Sequence, residues 1–387
     1  MMDQPTYRVR KIYDNGDVYL GDLLEAISGA TKSIYVESYI FELPEPGVRL
    51  LRALEEKHRQ GLDIRILIDG VGSLHHIRPL QNWSEDSWIP VRVFNPLPWH
   101  RRWRWLFFPL FLLNLIWNTR LLNRRDHRKM IVIDGKRAFL GSINFSKVHF
   151  SFYGTRPWFD LAIQVEGELI QVLDHAFLRE FGRIRPVREK IWHELKRVLR
   201  SKPKLFPIEN KLRLNSNFIL RFLFWRDLLW RIRRAKKRVY IMNAYFVPHR
   251  TLMRSLAVAA RRGVEVVVLL PSESDVPVVK WFAPIYYRKL INKGVQIREM
   301  QGQMIHTKSV IIDDWALVGS NNMNYRSLIH DLEVEAVVQE PEFVTHLLWV
   351  WSEKIRLSRV IKIDEVANLS LVSFIRYRLV LLIRYFV

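Results

Sequence analysis

Two histidines and two lysines occur in a spacing that repeats. His127 and Lys129 are followed by Asp134, then by Gly141, Ser142 and Asn144; His306 and Lys308 are followed by Asp313, then by Gly319, Ser320 and Asn322. Both copies read H-x-K-x4-D, and the G-S-x-N segment starts 14 residues after the first histidine and 13 after the second. An imidazole, an ammonium group, a hydroxyl and an amide on one small platform suit an oxyanion such as phosphate, with lysine acting as a point charge. Two platforms supply two histidines. Phosphodiester chemistry needs two roles, a nucleophile for phosphorus and an acid for the leaving alkoxide. Lysines that neutralise the transferring group remove the need for a metal, so neither metal nor other cofactor is expected. One H-x-K-x4-D alone is weak evidence in a chain rich in lysine and arginine; two copies with the same sequel are not.

The elements that must position these groups are legible around them. Residues 130–133 and 309–312 are mostly β-branched apolar runs and predict buried strands. Alternation along a strand puts the histidine and lysine of each copy on one face. Asp134-Gly135 and Asp313-Asp314 are turn residues. The two aspartates, although part of the motif, are therefore expected to hold structure, by salt bridges or turn stabilisation, rather than to carry protons. Residues 138–140 and 316–318 return as second strands and end at the two glycines, where a missing side chain lets backbone approach a ligand.

The two halves of the chain repeat one order of elements. In the first, 8–13 predicts a strand and Leu20, Leu23, Leu24 and Ile27 a helix. A buried strand over 32–41, a helix over 49–60 ended by Gly61, and strands over 62–69 and 91–94 follow. In the second, 211–214 predicts a strand, 218–234 a helix, 237–246 the match of the strand at 32, 257–262 a helix stopped by Gly263, and 264–270 and 295–298 further strands. The expected fold class is α/β with helices on both sheet faces, in two similar domains placed at 1–200 and 201–365, with a basic apolar tail at 366–387. Glu37 lies inside an apolar strand, which is costly unless it is paired. It is expected beside a lysine or histidine of the pocket, or else at a strand edge, with Asn243 and Tyr245 as approximate counterparts. His75, His76, His149 and His249 have no motif around them and are expected at the surface or a pocket rim.

Lysine and arginine total 61 of 387 residues against 39 acids, a net charge of +22, which suits an anionic partner, nucleic acid or an acidic membrane surface. With 49% hydrophobic residues the chain is not a disordered one, and without cysteine it has no disulfide framework and no thiolate chemistry. The N-terminus lacks the apolar core of a signal peptide, and no uninterrupted apolar run reaches the length of a membrane span. From Gly61 to His127 is 66 positions, whereas Gly263 to His306 is 43, so the first half carries an insertion of 23. It coincides with 98–124, where Trp99, Trp103, Trp105, Phe107, Phe108 and Leu113 are flanked by arginines. Aromatic and leucine side chains with basic flanks suit a membrane interface; a core helix is the alternative. Along 218–234, Phe218, Phe222, Trp225, Leu229 and Ile232 form a core stripe. Leu220, Leu223, Phe224, Leu228 and Trp230 are left as surplus apolar surface, for membrane or inter-domain contact. The apolar tail is expected on a membrane surface, with a homodimer interface as the alternative.

The paired motifs and the duplicated order of elements resemble the phospholipase D superfamily with its two HKD motifs, over most of the chain. Within it the likeness is greatest to bacterial cardiolipin synthases of the shorter type, without N-terminal membrane spans. That resemblance implies two phospholipase D-like domains sharing an active site at their interface, one motif from each. It implies phosphatidyl transfer: one phosphatidylglycerol gives its phosphatidyl group to a histidine and releases glycerol, and a second phosphatidylglycerol attacks the phosphohistidine to give cardiolipin. His127 is the expected nucleophile and His306 the general acid and then base. Lys129, Lys308, Asn144 and Asn322 are expected on the phosphoryl oxygens, with Ser142 and Ser320 nearby. The resemblance also implies an acid downstream of each motif to orient a histidine, and Asp160 and Glu333 occupy those places; which acid serves which histidine is open. The expected partners are anionic phospholipids, phosphatidylglycerol and cardiolipin, with phosphatidylethanolamine able to replace one of the former. The expected location is the cytoplasmic face of a bacterial inner membrane, held peripherally. A hydrolytic phospholipase D differs only in its acceptor. A nuclease of the superfamily suits the charge but leaves the apolar insertion unexplained, so nucleic acid is not favoured. A scaffold with relic motifs would tolerate loss of either histidine.

Overall fold

The computed structural model describes residues 6–43, 45–97, 123–152, 154, 156–182 and 207–367, with backbone alone at 281 and 282. Residues 98–122 of the expected insertion and 368–387 of the expected tail lie outside the described residues. The chain divides into two compact units. The first follows the chain through Arg156, resumes at Ala162 and takes in His330–Val334. The second takes in Pro157–Leu161, the later half through Ile329, and the chain from Glu335 onward.

The first unit is built on β1 (Arg8–Tyr13), α1 (Gly16–Ser28), β2 (Ser33–Ser38), α2 (Gly47–Arg59), β3 (Asp63–Asp69), α3 (Ile77–Ser87), β4 (Val91–Phe94), β5 (Met130–Ile133), β6 (Arg137–Gly141), β7 (Ala162–Glu166) and α4 (Gln171–Gly182). Its seven strands run β1-β7-β6-β5-β2-β3-β4, with β2, β3 and β4 parallel and the remaining neighbours antiparallel. Asn15 starts α1 by accepting from the backbone N–H groups of Asp17 and Val18. Leu20, Leu23 and Ile27 of α1 and Leu50, Leu51 and Leu54 of α2 pack on Ile34, Val36, Ile64, Ile66 and Ile68 of the sheet. β2 is buried almost throughout, whereas β3 alternates at its start, with Asp63 exposed and Arg65 half-buried, and is buried from Ile66 onward.

The second unit repeats the plan with β8 (Leu212–Leu214), α5 (Phe218–Arg234), β9 (Arg238–Asn243), α6 (Arg250–Arg261), β10 (Glu265–Pro271), α7 (Pro277–Ile291), β11 (Gln296–Met300), β12 (Lys308–Ile312), β13 (Trp315–Gly319), α8 (Tyr325–Ile329), β14 (Val334–Val338), α9 (Pro341–Arg356), β15 (Ser358–Val360) and α10 (Ile363–Ala367). Reading its sheet as β8-β14-β13-β12-β9-β10-β11-β15 reproduces the first order strand for strand, plus β15 as an added antiparallel edge on β11. The duplicated α/β fold is therefore present in both halves. No helix among the described residues is long and apolar enough to cross a membrane.

Three local expectations need correction. Helix α6 begins at Arg250, seven residues before the expected 257, because the His249 side chain caps it by accepting from the Thr251 N–H. The counterpart of Glu37 is Met242: Glu37 stands opposite Met130 and Met242 opposite Ser309, the equivalent motif position. The core stripe of α5 is rotated from the expected one. Ile219, Phe224, Leu228, Leu229 and Ile232 are buried, whereas Phe218 and Phe222 are 50% and 46% exposed. The cause is Asp227, fully buried on this helix, which pairs with Arg213 and with Arg231 at 2.9 Å and accepts from the Ile208 N–H at 2.8 Å. A buried carboxylate must keep such partners, and they fix which face of α5 turns inward.

Candidate active site

The motif histidines stand just before the two central hairpin strands, β5 and β12. In the first unit the backbone N–H of His127 donates to the Leu332 carbonyl at 3.0 Å, and the Leu332 N–H to the Arg125 carbonyl at 2.8 Å. This parallel bridge brings Glu333 to the imidazole, with Nδ1 of His127 3.1 and 3.0 Å from the two carboxylate oxygens. The second unit repeats the device. His306 and Thr307 donate backbone N–H bonds to the Phe159 carbonyl at 2.8 and 3.0 Å, and Asp160 then lies 2.8 Å from Nδ1 of His306. Both pairs are buried. The acids are thus exchanged between the sequence halves: Glu333 of the second half serves His127, and Asp160 of the first serves His306. A carboxylate on Nδ1 fixes the proton there, places the lone pair on Nε2 and stabilises the imidazolium once it forms.

The lysines follow their histidines closely. Nζ of Lys129 donates to the His127 carbonyl at 2.7 Å. Nζ of Lys308 donates to the His306 carbonyl and stands 2.9 Å from Nε2 of the same ring. Each platform also carries an aromatic wall. Tyr39, one residue past β2, meets the His127 ring edge-on at 4.8 Å and lies 5.0 Å from Nζ of Lys129. Tyr245, just past β9, meets His306 edge-on at 6.2 Å and lies 5.8 Å from Nζ of Lys308. Trp158 adds a second ring 5.5 Å from His306.

The remaining motif residues are anchored by backbone. Asp134 accepts from the consecutive N–H groups of Thr31, Lys32 and Ser33 at 3.0, 2.7 and 3.0 Å; Asp313 does the same with Lys236, Lys237 and Arg238 at 2.8, 2.8 and 3.0 Å. Both adopt the left-handed conformation, φ 55 and 52, which aspartate tolerates better than most residues. Burial disfavours their charge, but the three backbone bonds outweigh it and hold both carboxyls below the usual range. Their partners are backbone amides at the start of β2 and β9 rather than cationic side chains. Asn144 is buried, accepts from the Ile40 N–H at 3.2 Å, and has its amide nitrogen 3.5 Å from Nε2 of His149. His149 is therefore buried on the turn Lys147–His149, not at a surface or rim as expected. Ser142, Ser320 and Asn322 are buried beside their strands' ends. Asn243, opposite Lys308 in register, accepts from the Met323 N–H at 3.1 Å.

Glu37 belongs to a different environment from the one expected. It shares its face with Met130 and Arg128, opposite that of His127 and Lys129. Its partner is the Arg128 guanidinium at 2.5 Å, which also holds Asp126 through two bonds of 3.0 Å. Burial, with Arg128 opposing it, raises the Glu37 carboxyl well above its ordinary value. Asp126 is held low: burial opposes its charge, and Arg128 with the Glu37 hydrogen bond overcomes that. One guanidinium between two carboxyls is neutral when Glu37 keeps its proton. The equivalent second-half positions are Met242 and Thr307, so charge is lost from both members together.

Sequence reasoning missed Asp69. Fully buried at the end of β3, it accepts from the N–H groups of Val71, Gly72 and Asp126 at 2.7, 3.1 and 3.0 Å. Gly72 touches the Tyr39 carbonyl so closely that a Cβ would sit 2.2 Å from that oxygen. Ser73 links the same stretch, with Oγ donating to the Tyr39 carbonyl and accepting from the Phe41 N–H. Asp69 thereby holds both the loop that seats Tyr39 and the residue preceding His127. Burial, with Arg125 opposing it, raises its pKa to about 6.

Comparison with known proteins identifies the family. The family model described as cardiolipin synthase, PLD-like domain matches residues 23–179 and 228–351. The chain belongs to this phospholipase D-like family. Among curated relatives, cardiolipin synthase B of Salmonella typhi is 32% identical over 345 residues, covering 86% of this chain and 77% of the relative. Cardiolipin synthase 1 of Staphylococcus aureus (strain COL) is 28% identical, covering 95% of this chain and 72% of that one. Among solved structures, phosphatidylserine synthase of Haemophilus influenzae Rd KW20 superposes with a TM-score of 0.68 at 16% identity, covering 100% of this chain and 98% of that chain. At that identity the likeness is one of fold. Phosphodiester hydrolysis or transfer is the activity class of a phospholipase D-like chain, and histidine is the residue around which both platforms here are built.

Proposed function

We propose that this phospholipase D-like chain is a cardiolipin synthase that transfers a phosphatidyl group between two molecules of phosphatidylglycerol. The observation that carries the reading is the pair of buried histidine–carboxylate dyads, one on each H-x-K-x4-D motif. They furnish the nucleophile and the acid–base group that a double displacement needs. In the first step Nε2 of His127 attacks phosphorus, the bond from phosphorus to the glycerol headgroup oxygen breaks, and the His306 imidazolium gives that oxygen its proton. In the second, His306 takes a proton from a hydroxyl of the incoming phosphatidylglycerol, the alkoxide attacks phosphorus, and the bond to His127 breaks. Glu333 and Asp160 stabilise the charge that each imidazole acquires in turn.

Lys129, Lys308, Asn144 and Asn322 are proposed to balance charge on the phosphoryl oxygens, with Ser142 and Ser320 beside them. A buried amide nitrogen of Asn243, unsatisfied among the described residues and next to Lys308 in register, adds a donor for the same oxygens. Glu37, committed to Arg128, is left out of this set. The 28–32% identity to cardiolipin synthases supports the choice of phosphatidylglycerol as substrate. A peripheral place at the cytoplasmic face of a bacterial inner membrane goes with that substrate.

The test is incubation of the full chain with phosphatidylglycerol vesicles, without added metal, and mass spectrometry of the products. Cardiolipin plus glycerol, absent with His127→Ala and His306→Ala, is the expected result. Phosphatidic acid in place of cardiolipin makes the enzyme a hydrolytic phospholipase D. Turnover that survives either substitution refutes the mechanism.

A further inference from the structure

One groove of the second unit is not used by this chemistry. It has a volume of about 590 Å³ and lies along α5, α6 and α8, within the size range of lipid- and drug-sized ligand pockets. Phe218, Phe222, Trp225 and Trp230 of α5 supply its apolar wall, and Tyr325 and Ile329 of α8 help to form its floor. Four arginines stand in the lining, and no acid does among the described lining residues. Arg221 is committed to structure, bonding the Asn215 and Ile329 carbonyls. Arg226 and Arg234 are exposed, and their guanidinium groups lie over the rings of Phe222 and Trp230 at 5.4 and 4.5 Å, so cation and aromatic ring form one amphipathic surface.

Half-exposed phenylalanines cost solvation unless something covers them. An entirely cationic rim selects what that is: an amphiphile whose apolar part enters the groove and whose anion meets the arginines. We propose that the α5 groove docks the chain on an anionic phospholipid surface, with Phe218 and Phe222 at the acyl boundary and Arg226 and Arg234 on headgroup phosphates. The floor adds a consequence. Helix α8 follows three residues after Asn322 and precedes Glu333, so a lipid seated there touches the segment that joins the G-S-x-N loop to the acid of His127. The choice of ligand rests on the lipid reading given above, but the surface itself is tested without turnover.

The experiment measures sedimentation of the full-length His127→Ala protein with vesicles of phosphatidylglycerol or of phosphatidylcholine. The expected result is preferential binding to phosphatidylglycerol, lowered at least about tenfold by Phe218→Ser with Phe222→Ser. Arg226→Gln with Arg234→Gln should lower it similarly and flatten its salt dependence. Phe222→Trp, which keeps an interfacial aromatic, should retain binding and guards against a serine variant that merely misfolds. Equal sedimentation of the double-serine protein and its parent overturns the proposal. So do equal binding to both lipids, displacement of the protein from vesicles by single-stranded DNA, and a change from dimer to monomer on substitution, which would make the groove a contact between copies.

Discussion

Replacing Glu333 by glutamine tests the exchanged acid directly. Glutamine keeps the shape of glutamate and can still accept from Nδ1–H of His127, so the tautomer and ring orientation survive and only the charge is lost. The dyad is buried, with His127 7% and Glu333 1% exposed, and the atoms are 3.0 Å apart. Unit charges with centres about 4 Å apart interact by about 4 kcal/mol at an effective dielectric near 20. That stabilisation acts on the cationic imidazole formed in the transition state, so its loss should cost about a thousandfold in kcat. The assay is the initial rate of cardiolipin formation on phosphatidylglycerol vesicles, with the melting temperature followed by circular dichroism. Asp160→Asn, run in parallel, should show a loss of the same order. A Glu333→Gln enzyme within tenfold of its parent at unchanged Tm would refute the argument that the carboxylate's charge drives the step.

The buried cluster opposite the platform separates structure from chemistry. Glu37→Gln mimics the protonated acid and should change stability by less than about 1 kcal/mol and leave turnover nearly intact. Arg128→Met strands a buried Asp126 carboxylate and should cost about 3–5 kcal/mol, read as the urea midpoint. Asp69 gives a pH signature. Its folded pKa of about 6 lies above the unfolded 3.8, so the folded state holds the extra proton between those values and stability falls as pH rises through them. Asp69→Asn should therefore gain about 3 kcal/mol relative to the parent between pH 4 and pH 7, measured by urea unfolding at each pH; a constant difference refutes the shift. For Asp134 and Asp313 the sign is opposite. Their carboxyls are held low, so their contribution is present above pH 4 and lost as acid protonates them. Asp134→Ala should melt well below Asp134→Asn, which keeps the left-handed conformation and one acceptor.

Much of this was legible in the sequence because buried strands advertise themselves. The runs at 32–41 and 309–312 are dominated by apolar and β-branched residues that suit a sheet interior, and the repeated order of elements revealed the duplication, although not the order of strands in each sheet. The family resemblance pointed to both acids, yet not to their pairing, since Asp160 and Glu333 sit at similar positions after the two motifs and local sequence is silent on long-range contacts. Two errors share a cause. The expected α5 stripe is drawn from the apolar residues alone and leaves out Asp227, whose bonds to Arg213 and Arg231 put it in the core. Placing Glu37 near the site followed from overlooking Arg128, the motif's variable residue, as its counter-ion. A charge inside an apolar pattern marks burial with a partner, and the partner has to be sought first. Tyr39 and Tyr245 had a visible signal, the aromatic residue just beyond the central strand in both halves.

The exchange of acids also sets an order in time. Asp160 precedes His306 by 146 residues, so the second histidine emerges from the ribosome with its carboxylate already made. His127 precedes Glu333 by 206 residues. At about 5–20 residues per second that interval is about 10–40 s, during which the nascent first half carries a histidine without the group that would stabilise its charge. A growing chain thus lacks the carboxylate of His127 until Glu333 has been made, so under the proposed mechanism the nucleophile is the last of the catalytic groups to be armed.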